Sequence, residues 1–199
     1  MTLPTRVLAG ATAYRLWQAP FAHQKFAPVL RHNDLARARR VLDVGCGPGT
    51  NTTYFGTAEY LGLDLNDAYL SYARRRYGRR FLTTDVRDYT GEGDGRFDFI
   101  LVNSFLHHID EKAAVGILRR LARLLDPQGF VHILDLVLPN EPSVARFLAR
   151  HDRGGFPRPV DRWQAIFEDV FPCVVFEPYP VTLGGVVLWH MVYFKGGPA

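Results

Sequence analysis

Three groups of residues in this chain have the types and spacing to do chemistry. The first is the glycine-rich turn Gly45-Cys46-Gly47-Pro48-Gly49, entered directly from the apolar run Val41–Val44. Glycine accepts a positive φ and lets a ligand approach the backbone closely, so such a turn can present exposed amides to a bound group. The second group is a pair of acids, Asp64 and Asp85, each ending a short apolar run and following the loop at intervals of about twenty residues. An acid at the first position can accept both ribose hydroxyls of an adenosine moiety, and one at the second can take the adenine amino group. The third is His107-His108, which follows another apolar run, FDFILV. An imidazole with a pKa near about 6.5 suits proton removal from a phenol or an acidic carbon.

The form of the loop separates two adenosine cofactors. A dinucleotide fingerprint has G-x-G-x-x-G/A, with glycines shaped for a pyrophosphate. Here the pattern is G-x-G-x-G followed by Thr50, so the last small position is wrong. S-adenosylmethionine (SAM) has no phosphate; it offers a zwitterionic methionine tail and a sulfonium. Exposed loop amides suit its carboxylate, and Asp43 just upstream can favour its ammonium.

These residues need elements that bring them to one place. Apolar, β-branched runs predict strands at Arg40–Val44, Tyr60–Leu63, Arg80–Thr84, Phe97–Val102, Phe130–Val137, Cys173–Phe176 and Val186–Phe194. FDFILV and FVHILDLV are nearly continuous apolar runs, as expected of strands covered on both faces in a largely parallel sheet. Helical stretches alternate with them. Asn66 can cap the first, Asp67 suits its positive end, Arg74, Arg75 and Arg76 suit its last turn, and Gly78 can close it in a left-handed conformation. That helix-end role explains the arginine run better than an RNA-binding patch does. A second helix runs from after Asp110 to about Leu125, with Leu118, Leu121 and Leu125 on its core face, and Asp126-Pro127-Gln128-Gly129 turns the chain into the next strand. A third, roughly Arg162–Val170, carries Trp163, Ile166, Phe167 and Val170 on one side.

With the elements in this order, the chain resembles the class I SAM-dependent methyltransferases. VLDVGCGPGT is similar to their first motif, LGLDLN to the second, TTDVRDY to the third, FDFILVNSFLHHID to the fourth and LLDPQGFVHILDLV to the fifth. The ordered similarity covers roughly residues 38–138. It implies an α/β, Rossmann-like, mostly parallel seven-stranded sheet of order 3-2-1-4-5-7-6, strand 7 antiparallel, with helices on both faces. It also implies SAM as cofactor and S-adenosylhomocysteine (SAH) as product. By position, Gly45, Gly47 and Gly49 would hold the methionine end, Asp64 the ribose and Asp85 the adenine. Leu65 belongs to the same set, Val86 would meet the base through its backbone, and Asn103 would lie near the sulfonium.

Methyl transfer is an in-line displacement for which the cofactor carries the difficult chemistry. The chain must place the acceptor and exclude water, and needs a base only for a nucleophile with a tightly held proton. His107 and His108 are the candidate catalytic residues, with His23 a weaker rival; His190, in an apolar strand, reads as a core or edge histidine. Tyr14 and Trp17 could close over the acceptor, since aromatic faces attract a sulfonium, or could form a hydrophobic brace. The polar cluster Arg150, His151, Asp152 and Arg153, between Pro139 and Pro159, is a second candidate for the acceptor pocket. Residues 1–38 precede the first strand as a helical cap or brace interrupted by Pro20 and Pro28, and 39–199 form the Rossmann-like core of one domain.

Other functions are disfavoured. Where enzymes acting on the amino groups of adenine, cytosine or glutamine have a D/N-P-P-Y/F box, this chain reads Asn103-Ser104-Phe105-Leu106. Asp135 stands without a convincing Asp/Asn cluster, so no metal is expected. Net charge is only +4 and the arginines are scattered, which permits an anionic substrate without demanding nucleic acid. A small organic acceptor methylated on oxygen or carbon is therefore expected, ahead of an RNA methyltransferase and of a SAM-binding partner or sensor without catalysis. Cys46 and Cys173 fit no metal or CxxC pattern, which suggests a reducing compartment. No apolar run reaches the ~18 residues needed to span a bilayer. Arg6 followed by Val7–Ala13 is at the short limit for a signal peptide, so the cytoplasm is the expected location. The sequence carries no sign of oligomeric state.

Overall fold

The computed structural model describes residues 21–152 and 154–198. Tyr14, Trp17 and Arg153 therefore lie outside the described residues. The seven strands are β1 (Arg40–Val44), β2 (Glu59–Asp64), β3 (Arg80–Thr83), β4 (Phe97–Asn103), β5 (Leu125–Val137), β6 (Cys173–Leu183) and β7 (Val186–Gly196). They form one sheet in the order β3-β2-β1-β4-β5-β7-β6. β1 to β5 pair in parallel, and β7 runs antiparallel to both β5 and β6. Sheet order and strand sense are those implied by the resemblance.

The apolar strands are covered on both faces. On one face Leu42, Val44, Ile100 and Ile133 pack with Leu118 and Leu121 of α3 (Glu111–Leu124) and Trp163 and Phe167 of α5 (Val160–Glu168). On the other, Val41, Phe99, Leu101 and Leu134 pack with Leu70 and Ala73 of α2 (Asp67–Tyr77), Ala149 of α4 (Val144–Arg150) and Phe26 and Val29 of α1 (21–32). Successive residues of a strand point to opposite faces, so one run such as Val41-Leu42 feeds both cores. Truncating one of these fully buried leucines to alanine costs about 2–5 kcal/mol.

Helix ends follow local chemistry. The Asn66 side chain accepts from the amides of Ala68 and Tyr69, and Gly78 closes α2 at φ 60. Arg74 turns onto the Phe81 carbonyl at 2.9 Å and Arg79 onto the Ala58 carbonyl at 2.7 Å, which ties this basic stretch into the fold. Asp110 caps α3 through the Ala113 amide. α5 begins two residues earlier than the apolar stripe suggests, and α4 arises in a segment read only as a polar cluster.

Three expectations change. Asp126–Gly129 does not interrupt the strand: β5 starts at Leu125 and carries the turn as a bulge, where the register passes from Phe97–Leu125 to Phe99–Phe130. The Asp126 carboxylate still makes its local turn bond to the Gln128 amide. β6 runs on to Leu183 through Pro178 and Pro180; it is the edge strand, where a missing backbone donor is tolerated. Pro28 is buried within helical α1 rather than interrupting it. There, Phe26 stacks on Tyr54 with ring centroids 4.1 Å apart, Phe21 meets Trp189 edge-on, and Tyr179 donates to the Lys25 carbonyl at 2.6 Å. The described part of the N-terminal segment thus packs against the β6–β7 hairpin.

Candidate active site

The cavity starts where β1 stops. Gly45, Gly47 and Gly49 all have positive φ, at 68, 53 and 74. The Gly45 and Cys46 amides both donate to the Leu63 carbonyl, which folds the loop across the end of β2. A Cβ on Gly45 would come within 2.7 Å of the Phe105 ring, whereas one on Gly47 would meet nothing within 4 Å. At Gly45 the glycine permits close packing; at Gly47 it sets the backbone beside open space.

Asp64 ends β2 and holds the loop from the side. Its Oδ2 accepts from the Gly47 amide at 2.9 Å and its Oδ1 from the Asn66 amide at 2.8 Å. A carboxylate has about four acceptor positions, so two amides leave capacity for ribose hydroxyls. Asp85 follows β3 and is paired with Arg87, whose Nη2 lies 2.6 Å from Oδ2. That guanidinium holds the Asp85 carboxyl below the usual carboxylate range.

Asp43 lies beneath the loop and is fully buried. Its Oδ2 accepts from Tyr60 at 2.6 Å and Asn51 at 3.2 Å, while Oδ1 has no hydrogen-bond partner. Burial, opposed by the Tyr60 and Asn51 bonds and reinforced by Asp64, pushes this carboxyl up to about 7. An orphaned buried oxygen costs free energy until a donor reaches it, and an ammonium is such a donor. Asn51 is itself linked to Asn103, whose Oδ1 takes the Ser104 hydroxyl. Ser104 has a positive φ of 54, a strained conformation for a residue with a side chain, where the chain leaves β4.

These elements border a cavity of about 490 Å³ lined by Gly45, Asp64, Leu65, Asp85, Val86 and His108 of the expected residues. Leu65 and Val86 offer apolar surface beside the two acids. Sequence reasoning missed Arg87, Phe105, Ile109 and Phe156, which also line it; apolar residues in loops carry no periodic signal, and Phe156 joins the wall from a distant segment. Asp43, Gly47, Gly49 and Asn103 lie behind or beside the cavity, not on its wall. His23 is exposed on α1 and Arg150 is exposed at the end of α4; neither lines this cavity.

The two histidines separate. His108 lines the cavity. His107 does not: it is buried, with Nδ1 2.6 Å from Asp135 Oδ1 and Nε2 3.2 Å from Asp152 Oδ1. Burial opposes charge on this ring, but the two carboxylates outweigh it and raise His107 to about 9. Asp135, fully buried at the end of β5, also accepts from the Leu106 and Leu136 amides. Around this pair Asp152 and residues 154–158 meet the loop after β4. The Phe156 amide donates to the His107 carbonyl at 2.9 Å, and the buried Arg158 donates to the carbonyls of Leu106 and Ile109. The loop so held presents His108 to the cavity. Both ring nitrogens of His107 thus face carboxylates, whereas His108 lines the cavity.

Known proteins agree with this architecture. Residues 41–129 match the family described as a methyltransferase domain. Trans-aconitate 2-methyltransferase of Delftia acidovorans is 27% identical over 87% of this chain and 70% of its own length. Fatty-acid O-methyltransferase of Mycolicibacterium smegmatis is 35% identical over 53% of this chain, which spans 42% of that protein. Among solved structures, human N-acetylserotonin methyltransferase in complex with SAM superposes with a TM-score of 0.71 at 13% identity, over 98% of this chain and 56% of that one. Sheet order, glycine loop, acids at the strand ends and the match over residues 41–129 agree with one another: the chain carries a methyltransferase-domain signature on the fold of the class I SAM-dependent methyltransferases, which it resembles.

Proposed function

We propose that the chain transfers a methyl group from SAM to an oxygen of a small organic acceptor. The observation that carries this reading is the cavity at the strand ends, where the glycine loop, Asp64 and Asp85 converge beside two apolar walls. The residues fit the cofactor. The orphaned Asp43 Oδ1 suits the ammonium, the open space at Gly47 suits the methionine tail, Asp64 the ribose, and Asp85 with Leu65 and Val86 the adenine. When bound, SAM supplies an electrophilic methyl on sulfur; the chain aligns the acceptor with the C–S bond and keeps water out. The acceptor belongs at the His108 end of the cavity, walled by Phe105 and Phe156. Oxygen is favoured by the likeness to an O-methyltransferase, and trans-aconitate and a fatty acid are the first acceptors to assay. Both cysteines are free, in keeping with the reducing cytoplasm.

Calorimetric titration tests the cofactor. Micromolar SAM binding, about −8 kcal/mol, lost in Asp64→Ala and absent for NADH, supports the reading; NADH binding without SAM binding overturns it. His108→Ala should keep SAM affinity and lose turnover, measured as SAH formed.

A further inference from the structure

Beside the cofactor cavity, His107, His108 and Asp152 present three ligand atoms within 4.8 Å of one another. We infer that these residues form a site for a first-row divalent transition cation, of which zinc is the archetype, at the acceptor end of the cavity. Ligand atoms about 2.1 Å from such an ion lie roughly 3.0–3.4 Å apart in tetrahedral or octahedral geometry. His107 Nε2 and Asp152 Oδ1, 3.2 Å apart, already have that spacing. It is longer than the roughly 2.7–2.9 Å of a good charge-assisted hydrogen bond.

The surroundings have the form of a metal site's outer shell. A ligating imidazole characteristically gives its other ring nitrogen to a carboxylate, which fixes the ring's orientation and makes it a better ligand. His107 Nδ1 meets the fully buried Asp135 in this way at 2.6 Å, and Asp135 is itself held by two backbone amides. Asp152 Oδ1 is held by the Gly154 amide at 3.0 Å, and Gly154 lies so close to the His107 ring that a Cβ there would sit 2.1 Å from Cδ2. Two carboxylates facing one imidazole stabilise positive charge between them, and a dication can take the place of the proton. The Asp152 side chain is 35% exposed, which leaves an entry path.

Two imidazoles and one carboxylate select borderline first-row metals over magnesium or calcium, which favour oxygen donors. Three protein ligands leave a position open, and His108 puts it on the cavity side. An acceptor hydroxyl or carboxylate oxygen bound there would be held in place and a hydroxyl proton made easier to lose, as water is on zinc. That use rests on the methyl-transfer reading above; the site itself does not.

The test uses the full chain, stripped with EDTA and freed of chelator, titrated with Zn²⁺ by calorimetry and with Co²⁺ by visible spectroscopy. The inference expects one equivalent bound, a Co²⁺ spectrum of nitrogen and oxygen ligation without thiolate charge transfer, and at least tenfold weaker binding in both Asp152→Asn and His108→Gln. These two side chains lie on the accessible side of the cluster; SAM titration of each variant confirms that it is folded. Absence of stoichiometric binding, a thiolate spectrum, or binding that survives the double variant overturns it. Zinc binding without SAM binding would sink the methyl-transfer reading alone, and SAM binding without zinc the metal site alone.

Discussion

The two halves of the cavity are built in different ways. The half proposed for the cofactor, at the ends of β1, β2 and β3, consists of a loop and two acids, each at or just beyond the end of its strand. Its contacts, such as Gly47 to Asp64, run mostly from backbone to side chain. The half proposed for the acceptor joins three segments far apart in the chain: 104–110 after β4, Asp135 on β5, and Asp152 with 154–158 beyond α4. It is held by the buried polar residues His107, Asp135 and Arg158, with the more exposed Asp152 against the His107 ring. Groups on a rim can be changed at the expense of the ligand they would meet. Groups in a buried network cannot be changed without exposing their partners to an apolar surrounding, where each unpaired polar group is costly. The cofactor half should therefore answer mutation mainly in affinity, and the acceptor half mainly in stability.

The largest effect should come from Asp135→Ala. Removing this fully buried carboxylate strands the His107 ring and the Leu106 and Leu136 amides, and should destabilise the fold by about 3–5 kcal/mol. Urea unfolding measures it; a loss below about 1 kcal/mol would erase the distinction between the halves. Asp64→Ala should lower SAM affinity about a hundredfold, roughly 2.7 kcal/mol, with much less effect on unfolding. Equal losses of stability in the two variants would show both halves to be structural. Gly45→Ala lies between the two, because the loop glycine packs on Phe105 of the other half. Its left-handed backbone and the clash should cost about 1–2 kcal/mol of stability and weaken SAM binding in the same protein.

The smallest effect concerns Asp43. Its carboxyl is raised to about 7, so it is largely protonated at about pH 5.5 and largely ionised at about pH 7.5. A bound ammonium favours the ionised form. SAM affinity should therefore rise with pH across that interval by about tenfold, or 1.4 kcal/mol. Binding at the lower pH should release a proton, read by calorimetry in buffers of different ionisation heat. Asp43→Asn should flatten the dependence; an unchanged slope would place the ammonium elsewhere.

The legibility of the two halves in the sequence follows from the same contrast. Gly45, Asp64 and Asp85 could be found because strand, turn and acid are contiguous, and a parallel sheet brings all its strand ends to one edge. Asp135 could be noticed but not understood, since its partners His107 and Leu106 pair with it only across the β4–β5 register. Asp152 read as one member of a polar run, and nothing local distinguishes it from exposed Arg150. The β5 bulge and the length of β6 were misread for a related reason: Asp126-Pro127 and Pro178 have the composition of turns, and only bulged pairing and an edge position make them compatible with strands.

Periodicity and capping are short-range, so the sequence by itself determined the alternation of strands and helices, the glycine loop and the acids at the strand ends. Tertiary structure alone decided that His107 is enclosed by two carboxylates while His108 faces the cavity. Adjacent residues of identical chemistry differ there only because burial and charge depend on which distant segments fold against each.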